Sequence, residues 1–291
     1  MIIPAIPGSS TDRVGRIVAE TLARILELPV RVNNIAGDGG VAGTNAIAAA
    51  AGDGTVLGLG VSSAIIGGRL LSRGARFSPI DDFQWLAILA TFPTAMVISR
   101  RSPYPDIAAW LASAREGPST LVYASVETGS AGHLAGAYLR VAKGARLVHR
   151  VVQSSEDRYA LLSDGTIDVL FDGVPNALIE APRSGHRIVA VTSAARAPAL
   201  PGMPSFGELY QQSFDVWIGL MMPKGLETPG YARLQSAVGV LLGDAAFIEG
   251  VRSAGASFVG LSGRGALAFL DAEILRYAKL IATLNQEGGR N

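Results

Sequence analysis

The sequence predicts an α/β protein built from two doubly wound lobes with a ligand cleft between them, and three observations carry that expectation. Short apolar runs alternate with amphipathic helical patterns along most of the chain, as repeated βαβ units with a mainly parallel sheet require. The alternation falls into two blocks, before about Arg100 and after about Pro103, with helices returning at the end. The 35 glycines favour many tight strand-to-helix turns over a coiled coil. The first lobe is expected to comprise residues 1–100 plus 219–291 and the second 101–218, with crossings near Ile98–Tyr104 and Val216–Pro223. A cleft between two lobes is a usual place for a small ligand.

A strand is expected over Met1–Ile6, then an amphipathic helix on which Val14, Ile17, Val18, Leu22, Ile25 and Leu26 recur at three- and four-residue spacing. Between them lies Pro4-Ala-Ile-Pro-Gly-Ser-Ser-Thr-Asp12. A Pro-Gly turn and hydroxyl residues opening a helix gather backbone N–H groups at a partly positive end, which attracts a carboxylate or phosphate. Plain capping explains the same residues, because Ser9-x-x-Asp12 fits a capping box. Pro29–Asn33 reads as a strand, Gly37–Gly43 as a turn, and an Ala-rich helix follows to about Ala51. Gly54–Gly60 reads as a third strand ending in Val61-Ser-Ser63, and Trp85–Ala90 and Thr94–Ser99 are two further apolar runs.

In the second block, helices are expected at Ile107–Ala114, Ala131–Ala142 and near Glu156–Leu162. Strands are expected at Thr120–Ser125, Arg146–Val152, Ile167–Phe171 and Arg187–Thr192. Phe214–Met222 is a long apolar run, and Thr228–Leu242, Asp244–Ala254 and Arg264–Leu284 read as helices.

Composition narrows the function. With 49% hydrophobic and 17% charged residues and a formal net charge of +1, nothing points to disorder or to a nucleic-acid partner. Cysteine is absent, which excludes disulfides, thiol catalysis and Cys-ligated metals. The most apolar windows, Asn45–Ala51 and Thr55–Gly68, are short or broken by Gly and Ser, below the roughly 18 residues a membrane span needs. The chain is expected to open directly in a strand, so no signal peptide is expected within it, and the leader of an exported product would have been removed or left out of this sequence.

Most catalytic signatures fail. Gly37-x-Gly39-x-x-Ala42 matches the loose dinucleotide fingerprint but follows the second strand, and no acid ends the third. Gly260-Leu-Ser-Gly-Arg264 misses the last glycine of a nucleophile elbow. His133, His149 and His186 lack metal-ligand spacing, and Asp81-Asp82 reads as a solvated turn. No catalytic residue, metal or cofactor is therefore expected. What remains are hydroxyl- and glycine-rich loops after apolar strands, at the edge where such sheets bind ligands. They supply the candidate binding residues Gly8, Ser9 and Ser10, then Ser62 and Ser63, then Glu127, Thr128, Gly129, Ser130 and His133. Asp172 also ends a strand, where it serves a ligand or caps the helix beginning around Pro175.

The segments PAIPGSSTD (4–12), NNIAGDGGVAGTNAIAAAAGDGTVLGLG (33–60), YASVETGSAGHLAG (123–136), IDVLFDGVPNAL (167–178) and AVTSAARAPALPGMPSF (190–206) together resemble the Bug family, the periplasmic substrate-binding proteins of tripartite tricarboxylate transporters. The resemblance implies a type II periplasmic-binding-protein architecture with a closing hinge, export, and delivery of a small organic acid by a monomer to membrane subunits. A di- or tricarboxylate, an amino acid or an aromatic acid would fit. The chain departs from the family at Ser9, usually glycine, at Glu127 and Thr128, usually glycine and asparagine, and at Val152 and Gln153, where a tyrosine and a basic residue are usual. Glu127 would repel a second carboxylate and attract an amino group if it faced the ligand. The alternatives are a ligand-sensing domain that signals to a membrane kinase, or an enzyme on the same lobes.

Overall fold

A computed structural model describes residues 1–69, 72–225 and 229–288. The chain divides into two compact units, one of Met1–Thr91 with Trp217–Arg276, the other of Phe92–Val216 with the chain from Tyr277 onward.

In the first unit β1 (Ile2–Ile3) pairs in parallel with β2 (Asn33–Asn34) and β3 (Gly58–Val61). Antiparallel to β3 runs β9 (Asp215–Pro223), with Val61 opposite Ile218. The helix α1 (Ser10–Leu26) turns Val14, Val18 and Leu22 inward, all fully buried. Its Gly15 lies so close to the sheet that a Cβ there would stand 2.6 Å from Ile3 and 2.8 Å from Leu59. After a 3-10 turn at Asp38–Gly40 comes α2 (Val41–Ala48), and a π-helical turn, Ser63–Gly68, follows β3. The helices α8 (Pro229–Gly243) and α9 (Ala245–Ser253) pack on α1. Thr228, expected to open α8, lies outside the described residues.

In the second unit β5 (Leu121–Ser125) is flanked in parallel by β6 (Leu147–Val151) and β7 (Val169–Gly173). The helices are α3 (Ile107–Glu116), α4 (Ala131–Lys143), α5 (Ser155–Asp164), α6 (Val174–Ser184) and α7 (Phe206–Tyr210). Buried Val97, Ala124, Tyr159, Leu162, Leu170, Val174 and Val191 form the core.

Several expectations need correction. The runs at Trp85–Ala90 and Thr94–Ser99 form one strand, β4 (Phe83–Ile98). Pro93 lies between the two runs, where the strand changes partners. Residues up to Thr91 pair with β10 (Ser257–Ser262), and those from Thr94 pair with β7 and β8 (Arg187–Val191). A residue without an N–H donor is tolerated at such a change of partner. The same strand moves the first crossing to Thr91/Phe92, ahead of Ile98–Tyr104. The C-terminal helix α10 (Gly263–Gly288) passes to the second unit at Tyr277, whereas the expected first lobe includes all of 219–291. β10 escaped notice because its apolar residues are interrupted by Gly260, which has φ +68° and sits at a register shift between Phe258 and Leu261. The sheets are also less parallel than expected, since β4, β8, β9 and β10 all pair antiparallel to their neighbours.

Candidate functional site

In the first unit the loop after β1 is held from within. Ser9 caps α1, its Oγ accepting from the N–H of Asp12 at 3.2 Å and donating to the carbonyl of Ile6 at 2.8 Å. The N–H of Gly8 donates to Asp12 Oδ2 at 2.8 Å, while that of Ser9 goes to Ile6. The reciprocal limb of the expected capping box thus comes from Gly8, and the N–H groups of Gly8 and Ser9 offered to a ligand are already engaged. Asp12 also accepts from Arg16 and Asn34. Burial pushes its carboxyl upward, but the hydrogen bonds from Arg16, Asn34 and Gly8 outweigh that and hold it below the usual range. Ser10 is buried in the first turn of α1. Ser62 is buried too, its Oγ accepting from the N–H of Trp217 at 3.3 Å, and half-buried Ser63 opens the π-helical turn.

In the second unit the turn between β5 and α4 is a closed hydrogen-bond circuit. Ser130 caps α4, accepting from the N–H of His133 at 3.2 Å and donating to the carbonyl of Glu127 at 2.7 Å. The N–H of Ser130 goes to the same carbonyl. Gly129, at φ +85°, directs its N–H to Nδ1 of His133 at 3.0 Å. Ser125 Oγ lies 2.8 Å from His149 Nε2 and 3.1 Å from the Glu127 carbonyl. Glu127 is buried, whereas Thr128 is exposed.

Two histidines missed by spacing arguments meet here. The rings of His133 and His149 lie 4.5 Å apart, and His149 tilts against Tyr123 at 4.8 Å. Burial, aided by the positive Arg140, pushes His133 down to about 4, and burial with His133 nearby pushes His149 down to about 4. Both rings are therefore neutral at pH 7. The signal lay in strand pairing, since parallel β5 and β6 set Tyr123 opposite His149. Among the described residues, no group of three or more His, Asp or Glu is placed to hold a metal. The Ser125–His149 contact has nucleophile–base spacing, yet Ser125 is only 1% exposed.

The glycines of the 123–136 segment let α4 approach the sheet closely. A Cβ on Gly132 would stand 2.6 Å from Phe171, and one on Gly136 would stand 2.2 Å from the Tyr123 ring. Asp172, at the end of β7, is buried and accepts from Arg158 at 3.1 Å, from the N–H of Gly173 and from Asn176. Its expected capping role is corrected, because Gly173 is the N-cap of α6 and no side chain caps that helix. Sequence reasoning missed Arg158, whose buried position on a polar helix carries no local signal.

A family profile described as the tripartite tricarboxylate transporter family receptor matches residues 14–286. The protein BugT of Bordetella pertussis is 30% identical over 285 residues, covering 97% of this chain and 87% of BugT. The solved periplasmic binding protein BugD superposes with a TM-score of 0.88 at 25% identity, covering 98% of this chain and 96% of the other. An R. palustris protein solved with adipate has a TM-score of 0.90 at 24% identity over 98% of this chain and 96% of its own, and shares the fold.

Proposed function

We propose, from the premise that the chain belongs to the receptor family of tripartite tricarboxylate transporters, that its ligand is a small organic carboxylate which it passes to membrane subunits. The chain is a periplasmic-type solute-binding receptor, and the proteins it resembles are binding proteins.

One observation carries the carboxylate reading. Thr128 is the exposed member of the turn at the amino end of α4, and several donors around it are engaged. The Gly129 N–H, the Ser130 N–H and hydroxyl and the Ser125 hydroxyl all have partners. Among the described residues, neither the N–H nor the hydroxyl of Thr128 meets a protein partner. Two donors on a turn braced from below, at the positive end of a helix, suit a carboxylate and need no reorganisation on binding. The neutral state of His133 and His149 leaves ligand charge to be met by these dipoles. The adipate held by the R. palustris protein is the same class of compound.

A thermal-shift panel of adipate, succinate, citrate, aspartate and benzoate tests this reading. A ligand at about 100 times its dissociation constant adds roughly 2.7 kcal/mol of stability, a shift easily read. Thr128→Val is expected to reduce the shift severalfold while leaving the melting temperature of the free protein unchanged. A shift that survives Thr128→Val intact would move the carboxylate away from this turn.

A further inference from the structure

We propose that Arg158 is the positioning residue of the ligand-binding edge of the second unit. The inference rests on the carboxylate-receptor reading and names what sets the shape of that edge.

Arg158 lies on α5 with its side chain only 2% exposed. Its Nη1 donates to the carbonyls of Val152 at 2.8 Å and Gln153 at 2.7 Å, and its Nη2 donates to Asp172 Oδ1 at 3.1 Å. Val152 in turn sends its N–H to the carbonyl of Ser125 at 3.0 Å. One guanidinium therefore ties the loop leaving β6 to the end of β7, and that loop is fastened to the end of β5 between them. These three parallel strand ends carry the Glu127–Ser130 turn, Asp172 and the 152–154 loop. They form the edge at which sheets of this kind receive ligands.

A buried arginine is a costly choice for stability alone, because desolvation offsets much of what the ion pair returns. Its planar fork does what no other side chain can, meeting two carbonyls and a carboxylate in fixed directions. The pairing also cancels the charge of Asp172 close to where an anion is to be bound. A lysine would preserve the charge and lose the fork, so charge and geometry can be separated experimentally.

The test compares wild type with Arg158→Lys and with Arg158→Met/Asp172→Asn, which removes both charges. Two quantities are measured, adipate affinity by calorimetry and backbone amide exchange at residues 151–155 in the free protein. Both variants are expected to remain folded with a lowered melting temperature, because the buried carbonyls of Val152 and Gln153 lose donors. Both are expected to exchange these amides at least about tenfold faster and to bind adipate about tenfold more weakly, the equivalent of one lost hydrogen bond. If Arg158→Lys retains wild-type exchange and affinity, Arg158 acts only as a counter-charge and the proposal fails; if Arg158→Met/Asp172→Asn retains them, neither its charge nor its fork shapes the edge and the proposal fails as well. It fails equally if affinity falls only in proportion to a general loss of stability. Should wild type bind no dicarboxylate, the receptor reading falls. Amide exchange then still decides the role of Arg158, with unchanged protection at 151–155 overturning it.

Discussion

The backbone N–H of Gly129 donates to Nδ1 of His133 at 3.0 Å, which fixes the ring as a neutral acceptor. Protonation would place a second N–H against the first and open the turn that carries Thr128. His133 and His149 are both pushed down to about 4, by burial first and then by Arg140 and His133 respectively. The ordinary value in an unfolded chain is about 6.5. Between these values the unfolded chain takes up protons that the folded one refuses, so stability is complete above about pH 6.5 and is lost as the pH falls towards 4. The loss is on the order of 3 kcal/mol at most for His133, and smaller for the more exposed His149, where solvent screens the charge. Asp12, whose carboxyl is held low, adds a loss of the same sign at still lower pH. Denaturant unfolding at steps from pH 7.5 to 4 is expected to show this decline, with His133→Gln flattening part of it. A flat profile in wild type would contradict the neutral-pair account.

Glycine substitutions on two helices are expected to have opposite signs. Gly136→Ala places a methyl group 2.2 Å from the buried Tyr123 ring and is expected to cost about 1–3 kcal/mol by overpacking. Gly239 lies within α8, and a Cβ there meets nothing within 4 Å. Gly239→Ala is therefore expected to stabilise by about 1 kcal/mol through helix propensity. Chemical denaturation of the two variants reads both effects.

Much of this architecture was legible from pattern, and the reasons are local. The periodicity of Val14, Val18 and Leu22 places α1 correctly, and Ser9, Ser130 and Ser205 are side-chain caps of helices in the structure. The helix capped by Ser205 was nonetheless missed, because five residues are too few to show a period. Gly8 stands where φ is +77°, a left-handed conformation that favours glycine. What pattern cannot supply is pairing across the sheet. His149 reaches His133 only because β6 lies beside β5, and Arg158 reaches Asp172 only because α5 packs against β7.

Glu127 is expected to set selectivity. The residue is buried and precedes Thr128 in the turn, and a charge roughly 4–6 Å from a bound anion changes affinity by about an order of magnitude. Glu127→Gln is expected to strengthen succinate and weaken aspartate, whose ammonium group it no longer attracts. Calorimetry with this matched pair on both proteins checks the sign. Equal changes for the two ligands would remove Glu127 from ligand selection.

The central claim, that this receptor takes a carboxylate at the Thr128 turn, is tested most directly by calorimetric titration of the wild-type protein with the five acids named above. At least one acid is predicted to bind saturably at one site with a dissociation constant of about 1 μM, corresponding to about −8 kcal/mol. That binding is expected to weaken severalfold in Thr128→Val. The absence of saturable binding by any mono-, di- or tricarboxylate at millimolar concentration would contradict the account.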